Sequence, residues 1–198
     1  MKNCLSLSMP QPSCPRAQRG VTLLELIVAM TILAATAAFA VPSYQDFVKN
    51  QRLVAGANEL LTSLTLARST AISTRAPTVI CRTSAPDAAT PVCGTGAFWE
   101  QGWVVYTDNN DDGIVDADEI VWERHPALPG EIEIGALGNI ANRVRFLPIG
   151  TSPGFNGTFA ICDDRKGNDQ IRERMREVVI AVAGRARVEK GDGATPCR

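Results

Sequence analysis

Apolar and polar positions divide the chain into three zones. The run VTLLELIVAMTILAATAAFAVPSY, from Val21 to Tyr44, holds Glu25 as its only charge. A helix needs about 20 apolar residues to cross a bilayer, so residues 21–44 are expected to form a membrane-spanning helix. Leu53, Ala57, Leu60, Leu64, Ala67 and Ala71 then recur at three- and four-residue spacings. That rhythm predicts an amphipathic continuation over residues 45–76 whose apolar face lies under a sheet. Pro42 is expected to kink the helix, and Arg75-Ala76-Pro77 to end it. Beyond Pro77 the apolar runs shorten and are punctuated by Gly and Pro, the pattern of strands and turns. Strands are expected at Thr78–Arg82, Gly102–Thr107, Glu119–Arg124, Glu131–Ile134, Arg143–Leu147, Thr158–Cys162, Val178–Val182 and Arg185–Glu189. Trp103, Tyr106 and Trp122 fall within these strands and read as sheet residues. The expected class is α+β: a long N-terminal helix packed on an antiparallel β-sheet domain that occupies residues 77–198.

The first zone has an unusual flank. Residues 1–20 are polar and basic, with Lys2, Arg16, Arg19 and no acid. Positive charge before a single apolar span keeps that side cytoplasmic, so the remainder is expected to be exported. The chain is then expected to be a single-pass membrane protein with its C-terminal domain outside the cytoplasm. A secretory signal is cut after its apolar core. Here the basic leader ends at Arg19-Gly20, before the core begins. Glu25 lies inside the apolar run, where a carboxylate is costly and needs a partner, so it is a candidate functional residue. The bland alternative is a simple anchor whose glutamate reaches the headgroups.

Six cysteines, at positions 4, 14, 81, 93, 162 and 197, include no CxxC pair, which argues against a zinc or thioredoxin-like site. Four of them lie in the exported domain, where an oxidising compartment favours disulfides. Of three pairings, Cys81–Cys93 with Cys162–Cys197 is preferred, closing a short loop and pinning the tail. Buried free thiols are the alternative.

Net charge is −1, but it is unevenly spread: from Asp87 to Glu133 eleven acids face Arg124 alone, and from Arg143 to Arg198 eleven bases face seven acids. In the acidic half, Asp108, Asn110, Asp112, Asp116 and Glu119, with Gly113, fit the spacing D-x-[DN]-x-[DN]-G-x5-E of a calcium loop. The same residues suit a hairpin turn for backbone reasons alone, and both flanks read as strands rather than EF-hand helices. In the basic half, Arg172, Arg174, Arg176, Arg185, Arg187 and Lys190 cluster near the C-terminus, and Arg185 and Arg187 alternate on one face. Such a face suits phosphate, and double-stranded DNA is the candidate ligand; Glu173, Glu177 and Glu189 among the bases equally suit a self-neutralised surface. His125 is the only histidine, and no nucleophile elbow, phosphate loop or His-Glu-x-x-His helix occurs, so an enzyme is not expected.

The segment Gly20-Val21-Thr22-Leu23-Leu24-Glu25 resembles the class III signal of type IV prepilins. The resemblance implies that prepilin peptidase cuts after Gly20 and that the new amine, on Val21, is methylated. Val21 stands where the family usually has Phe. Cleavage would remove three positive charges and leave a mature chain at −4 (−1 minus 3). It also implies that Glu25 pairs with the N-terminal amine of a neighbouring subunit. Further matching stretches are Val79-Ile80-Cys81-Arg82 leading to Cys93, and Gly102-Trp103-Val104-Val105-Tyr106 running into the acidic loop. Phe159-Ala160-Ile161-Cys162 and Gly184-Arg185-Ala186-Arg187 complete them. Together these resemble the GspH/FimT family of minor type IV pilins and type II secretion pseudopilins, whose members prime or cap filaments. The last stretch is similar to the GRxR motif of members that capture DNA for natural transformation. The implied partners are other pilins or pseudopilins, prepilin peptidase, the inner membrane, DNA, and secreted proteins if the filament is a pseudopilus. No cofactor is implied, apart from calcium as the acidic loop suggests. A membrane-anchored binding module that builds no filament is the reading from another class.

Overall fold

The computed structural model describes residues 20–94, 96–165, 174–191 and 195–197; Cys4, Cys14 and Arg172 lie outside them. By its internal packing the chain falls into two units, residues 1–43 and 44–198.

A single helix, α1 (Leu23–Thr74), belongs to both. Thr22 begins it: its Oγ1 accepts the Glu25 N–H at 3.2 Å and its carbonyl accepts the Leu26 N–H at 3.1 Å. This satisfies one of the donors that every helix start leaves open. Pro42 lies inside α1, which continues past it. The end comes at Arg75, whose φ of 57° puts it in the left-handed region before Pro77.

In the first unit the described part of the helix is exposed on all sides, with Leu23, Leu24, Leu33 and Phe39 among its apolar side chains. In the second unit the expected stripe is buried: Leu53, Ala57, Leu60, Leu64, Ala67 and Ala71 are each at most 1% exposed. Burying a leucine is worth about 2 kcal/mol, so three leucines and three close-fitting alanines fix this face.

The helix stripe meets two sheets, where the sequence had suggested one. In chain order the strands are β1 (Thr78–Arg82), β2 (Trp103–Thr107), β3 (Val121–His125), β4 (Glu133–Ala136), β5 (Arg143–Phe146), β6 (Gly157–Cys162), β7 (Arg176–Ile180) and β8 (Ala186–Lys190). One sheet has the order β3-β2-β1-β5, the other β4-β6-β7-β8, and every pairing is antiparallel. Ile80, Trp103, Val105 and Phe146 from the first sheet and Phe159, Ile161, Val178 and Ile180 from the second close over the helix as one core.

The first sheet is buried on its other face too. Val79, Cys81, Val104 and Tyr106 pack there with Val115 from the β2–β3 connection. This explains why β1 and β2 read as nearly unbroken apolar runs rather than alternating ones. The Cys81–Cys93 disulfide ties the cover to β1, and Cys162–Cys197 ties the tail to β6, with Cα–Cα distances of 5.5 and 6.1 Å. The tail runs so close to β4 that a Cβ on Gly135 would stand 2.1 Å from the Pro196 carbonyl oxygen.

Polar contacts add a second set of ties. Trp103 Nε1 donates to Ser63 Oγ on the helix at 2.8 Å, and Ser63 Oγ donates to Glu123 at 2.9 Å. His125 stacks on Trp103, with centroids 3.9 Å apart, and its Nε2 lies 3.4 Å from Glu59 on the helix. Arg165 reaches α1 at Asp46 (3.1 Å) and Asn50 (2.9 Å) while it also pairs with Asp163. Lys49 binds Asp164 at 2.7 Å beside it.

Candidate functional site

Three regions carry the candidate residues. The first is the N-terminal end of α1. Gly20, Val21 and Thr22 precede the helix and Glu25 sits in its first turn, all exposed. Leu23 to Tyr44 is about 33 Å of helix at 1.5 Å per residue, against a hydrocarbon layer of about 30 Å. It is the one described helix long and apolar enough to cross a membrane. Glu25 is placed about one turn in. Helix geometry lets an acid near the N-terminus interact with the local dipole, a modest stabilisation of about 0.3–1 kcal/mol in water. A surrounding of hydrocarbon changes the balance, because there the charge has no solvent and its cost is several times larger.

The second region is the β2–β3 connection. Asp108 is almost fully buried; its Oδ2 accepts the Gly113 N–H at 3.0 Å, and its Oδ1 has no hydrogen-bond partner of normal geometry. Asn110 Nδ2 donates to Asp112 and to Asp116, both at 2.9 Å. The Glu119 carboxylate accepts the Asn109 N–H at 2.8 Å and the Asp116 N–H at 3.2 Å, so Glu119 caps the loop instead of standing in β3 as expected. Burial raises both Asp108 and Glu119 above the usual carboxylate range; backbone N–H groups that hydrogen-bond to each carboxylate oppose the shift, and neighbouring acids add to it. Burial likewise pushes the Tyr106 phenol upward, reinforced by Asp108 and Glu119. Arg145 answers Asp111 at 2.7 Å. Gly113, at φ 74°, lets Arg143 lie against the loop, where a Cβ would stand 1.4 Å from its Nη1. Among the described residues no three acidic, histidine or cysteine side chains are gathered at ion-binding distance.

The third region is the β7–β8 hairpin. β8 starts at Ala186, so Arg185 stands in the turn before it rather than in the strand. Arg185 and Arg187 are nevertheless both exposed, flanking a half-buried Ala186. Arg187 pairs with Glu189 on the same face. Arg176 pairs in register with Lys190 at the far end of the hairpin, roughly 16 Å from Arg185 at 3.3 Å per residue. Arg174 is drawn to Asp46 of the helix, 3.8 Å away. The hairpin therefore separates the basic residues into two groups, and Arg185 with Arg187 form the pair that faces outward. Gly184 has a structural reason of its own: it has φ 73°, and a Cβ would lie 2.0 Å from the Gly150 carbonyl oxygen.

A cleft of about 460 Å³ opens beside the acidic loop, lined by Arg143, Asn139, Asn142, Phe155 and the disulfide-bonded Cys93 among others. Its amides and guanidinium can hold polar groups, but its lining has no paired nucleophile and base.

The model of the type II transport protein GspH matches residues 56–184, about two thirds of the chain. The chain belongs to the GspH family. Residues 15–41 of this GspH-family chain match the prokaryotic N-terminal methylation motif, which spans Gly20, Val21 and Glu25. Among solved structures, the type IV minor pilin FimU of Pseudomonas aeruginosa is 23% identical, with a TM-score of 0.52 over 72% of this chain and 92% of that one. The minor pseudopilin EpsH of the Vibrio cholerae type 2 secretion system is 14% identical, with a TM-score of 0.45 over 68% of this chain and 93% of that one. No curated protein sequence matches. The fold is that of type IV pilins, a long N-terminal helix packed on antiparallel sheets, as the sequence led one to expect.

The sequence missed the Arg165 contacts with Asp46 and Asn50, which bridge 119 and 115 positions and leave no periodic trace. It also gave His125 no role, although His125 lies flat on Trp103.

Proposed function

We infer that this GspH-family chain is a minor filament subunit, anchored in the inner membrane by residues 21–44 with its folded domain in the periplasm. Prepilin peptidase cuts after Gly20, and Val21 becomes the methylated N-terminus. The observation that carries the reading is the lone acid: Glu25 is the only charge in residues 21–44, the exposed apolar part of the helix, which is long enough to span a membrane. Glu25 and the Val21 amine of a neighbouring copy, or of another pilin, neutralise each other when subunits align. Each charge alone is costly in the apolar layer; the pair is much less so. Likeness to the minor pilin FimU favours priming or capping a type IV pilus. The alternative within the family is a pseudopilin at the tip of a type II secretion filament, which faces secreted proteins.

DNA capture is a second reading, favoured by two exposed arginines at one end of the hairpin, Arg185 in the turn and Arg187 on the edge strand β8. Phosphate contacts of this kind supply affinity without sequence preference and weaken steeply with salt. One set of strains separates these readings. Deleting the gene abolishes pili and twitching if the filament is a pilus, and exoprotein release if it is a pseudopilus. The Arg185→Gln, Arg187→Gln double variant restores filaments but lowers DNA uptake and low-salt duplex binding at least tenfold. Wild-type DNA binding by that variant rules out the DNA reading. A deletion strain with normal pili and normal exoprotein release rules out the filament reading.

A further inference from the structure

We propose that the β2–β3 connection is a calcium site, with Asp108, Asn110, Asp112, Asp116 and Glu119 as side-chain ligands and the Ile114 carbonyl completing the shell. Calcium takes six to eight oxygens, and a twelve-residue loop supplies them from its positions 1, 3, 5, 7, 9 and 12. Counted from Asp108, those positions are Asp108, Asn110, Asp112, Ile114, Asp116 and Glu119, and position 6, the sharp turn, is Gly113.

Spacing alone would fit a turn equally well, but the buried carboxylate is a separate observation. Asp108 is 1% exposed, and its Oδ1 makes no hydrogen bond of normal geometry. A turn needs only the Oδ2 that holds Gly113. Leaving the second oxygen of a buried carboxylate bare is costly unless something positive meets it. Among the described residues no arginine or lysine hydrogen-bonds to Asp108; Arg145 reaches Asp111 through Nη2. The bond from the Gly113 N–H to Oδ2 turns the Asp108 carboxyl toward the loop, beside the carboxylates of Asp111 and Asp112.

The rest of the loop needs small movements to receive an ion. Asn110 Nδ2 now stands between the Asp112 and Asp116 carboxylates, with its positive amide end where a cation would be. Turning that amide over presents Oδ1 in place of Nδ2. Glu119 already spans the loop by holding the Asn109 and Asp116 N–H groups, and swings inward to close the site. Calcium suits these adjustments better than magnesium, which demands a near-ideal octahedron and gives up water reluctantly. Bound calcium would fasten Val115, the buried apolar side chain of the loop, over Val79, Cys81, Val104 and Tyr106.

The test uses the full chain in detergent micelles, stripped with EGTA and dialysed. Calorimetric titration with CaCl2 should give one site with a dissociation constant on the order of 0.1–1 mM, the range of extracellular modules. At 10 mM CaCl2 the thermal midpoint should rise by about 4 °C. The Asp112→Asn, Asp116→Asn double variant keeps Asp108 and its hold on Gly113, and should lose both responses while it melts normally without calcium. Glu119→Gln should weaken binding at least tenfold. No heat and no shift up to 10 mM overturns the proposal. So does an equal shift with MgCl2, or a double variant that responds like the wild type, since either means general charge screening.

Discussion

Replacing Glu25 with alanine should leave the chain inserted in the membrane and reduce its incorporation into filaments about a hundredfold. The variant makes the apolar run of residues 21–44 more apolar, so insertion does not suffer. What it removes is the partner of the neighbouring N-terminal amine. A cation left unpaired in the apolar layer costs about 2.5–3.5 kcal/mol, and each 1.4 kcal/mol is a factor of ten. Glu25→Gln should fail nearly as badly, because it keeps the shape and loses the charge. Glu25→Asp should retain part of the function. Immunoblots of membranes and of sheared filaments measure the two quantities separately. Wild-type incorporation of Glu25→Ala would mean that helix packing alone drives assembly. In that case the helix-cap contact between Thr22 and the Glu25 N–H would be enough to explain the first turn, since a backbone donor makes it whatever the side chain.

The second large effect concerns the folded unit. Trp103→Ala should destabilise it by about 4 kcal/mol, the usual cost of emptying a buried aromatic site. Trp103 is fully buried, and it joins α1 and β3 to the approach to β2. Its indole N–H holds Ser63 on α1, its ring lies under His125 at the end of β3, and Trp99 is 6.5 Å away on the approach to β2. For a unit of this size each kcal/mol moves the melting midpoint by about 2–4 °C, so the expected loss is roughly 8–16 °C. Trp103→Phe, which keeps most of the apolar volume, should lose less than half of that. Circular dichroism melts in detergent micelles give the comparison. A loss below about 3 °C for the alanine variant would show that the helix–sheet contact does not depend on this residue.

How much of this was legible follows from what each signal depends on. The helix stripe from Leu53 to Ala71 was readable because its period is a property of the local chain, and all six residues are buried. β1 was found at Thr78–Arg82 because Pro77 fixes its start and its run is apolar on both faces. β4 and β7 are each displaced by two residues from where the sequence suggested. Their bounds are set by β6, which pairs Glu133 with Cys162 on one side and Arg176 with Ile161 on the other. No local pattern encodes that register. The split into two sheets is unreadable for the same reason: β5 joins β1 across 60 positions, whereas β4 joins β6. The candidate sites show the same division. The loop spacing from Asp108 to Glu119 could be read directly, but the bare Oδ1 of Asp108 depends on burial against the sheet. The basic residues near the C-terminus looked like one cluster in sequence; hairpin geometry parts Arg176 and Lys190 from Arg185.

The central claim is that a trimmed chain end meets an acid held in the apolar layer, and mass spectrometry of the N-terminal peptide tests it most directly. Protein recovered from native membranes should begin at Val21 and carry one added methyl group on its amine. A chain that still begins at Met1 would be a membrane-anchored module and not a filament subunit.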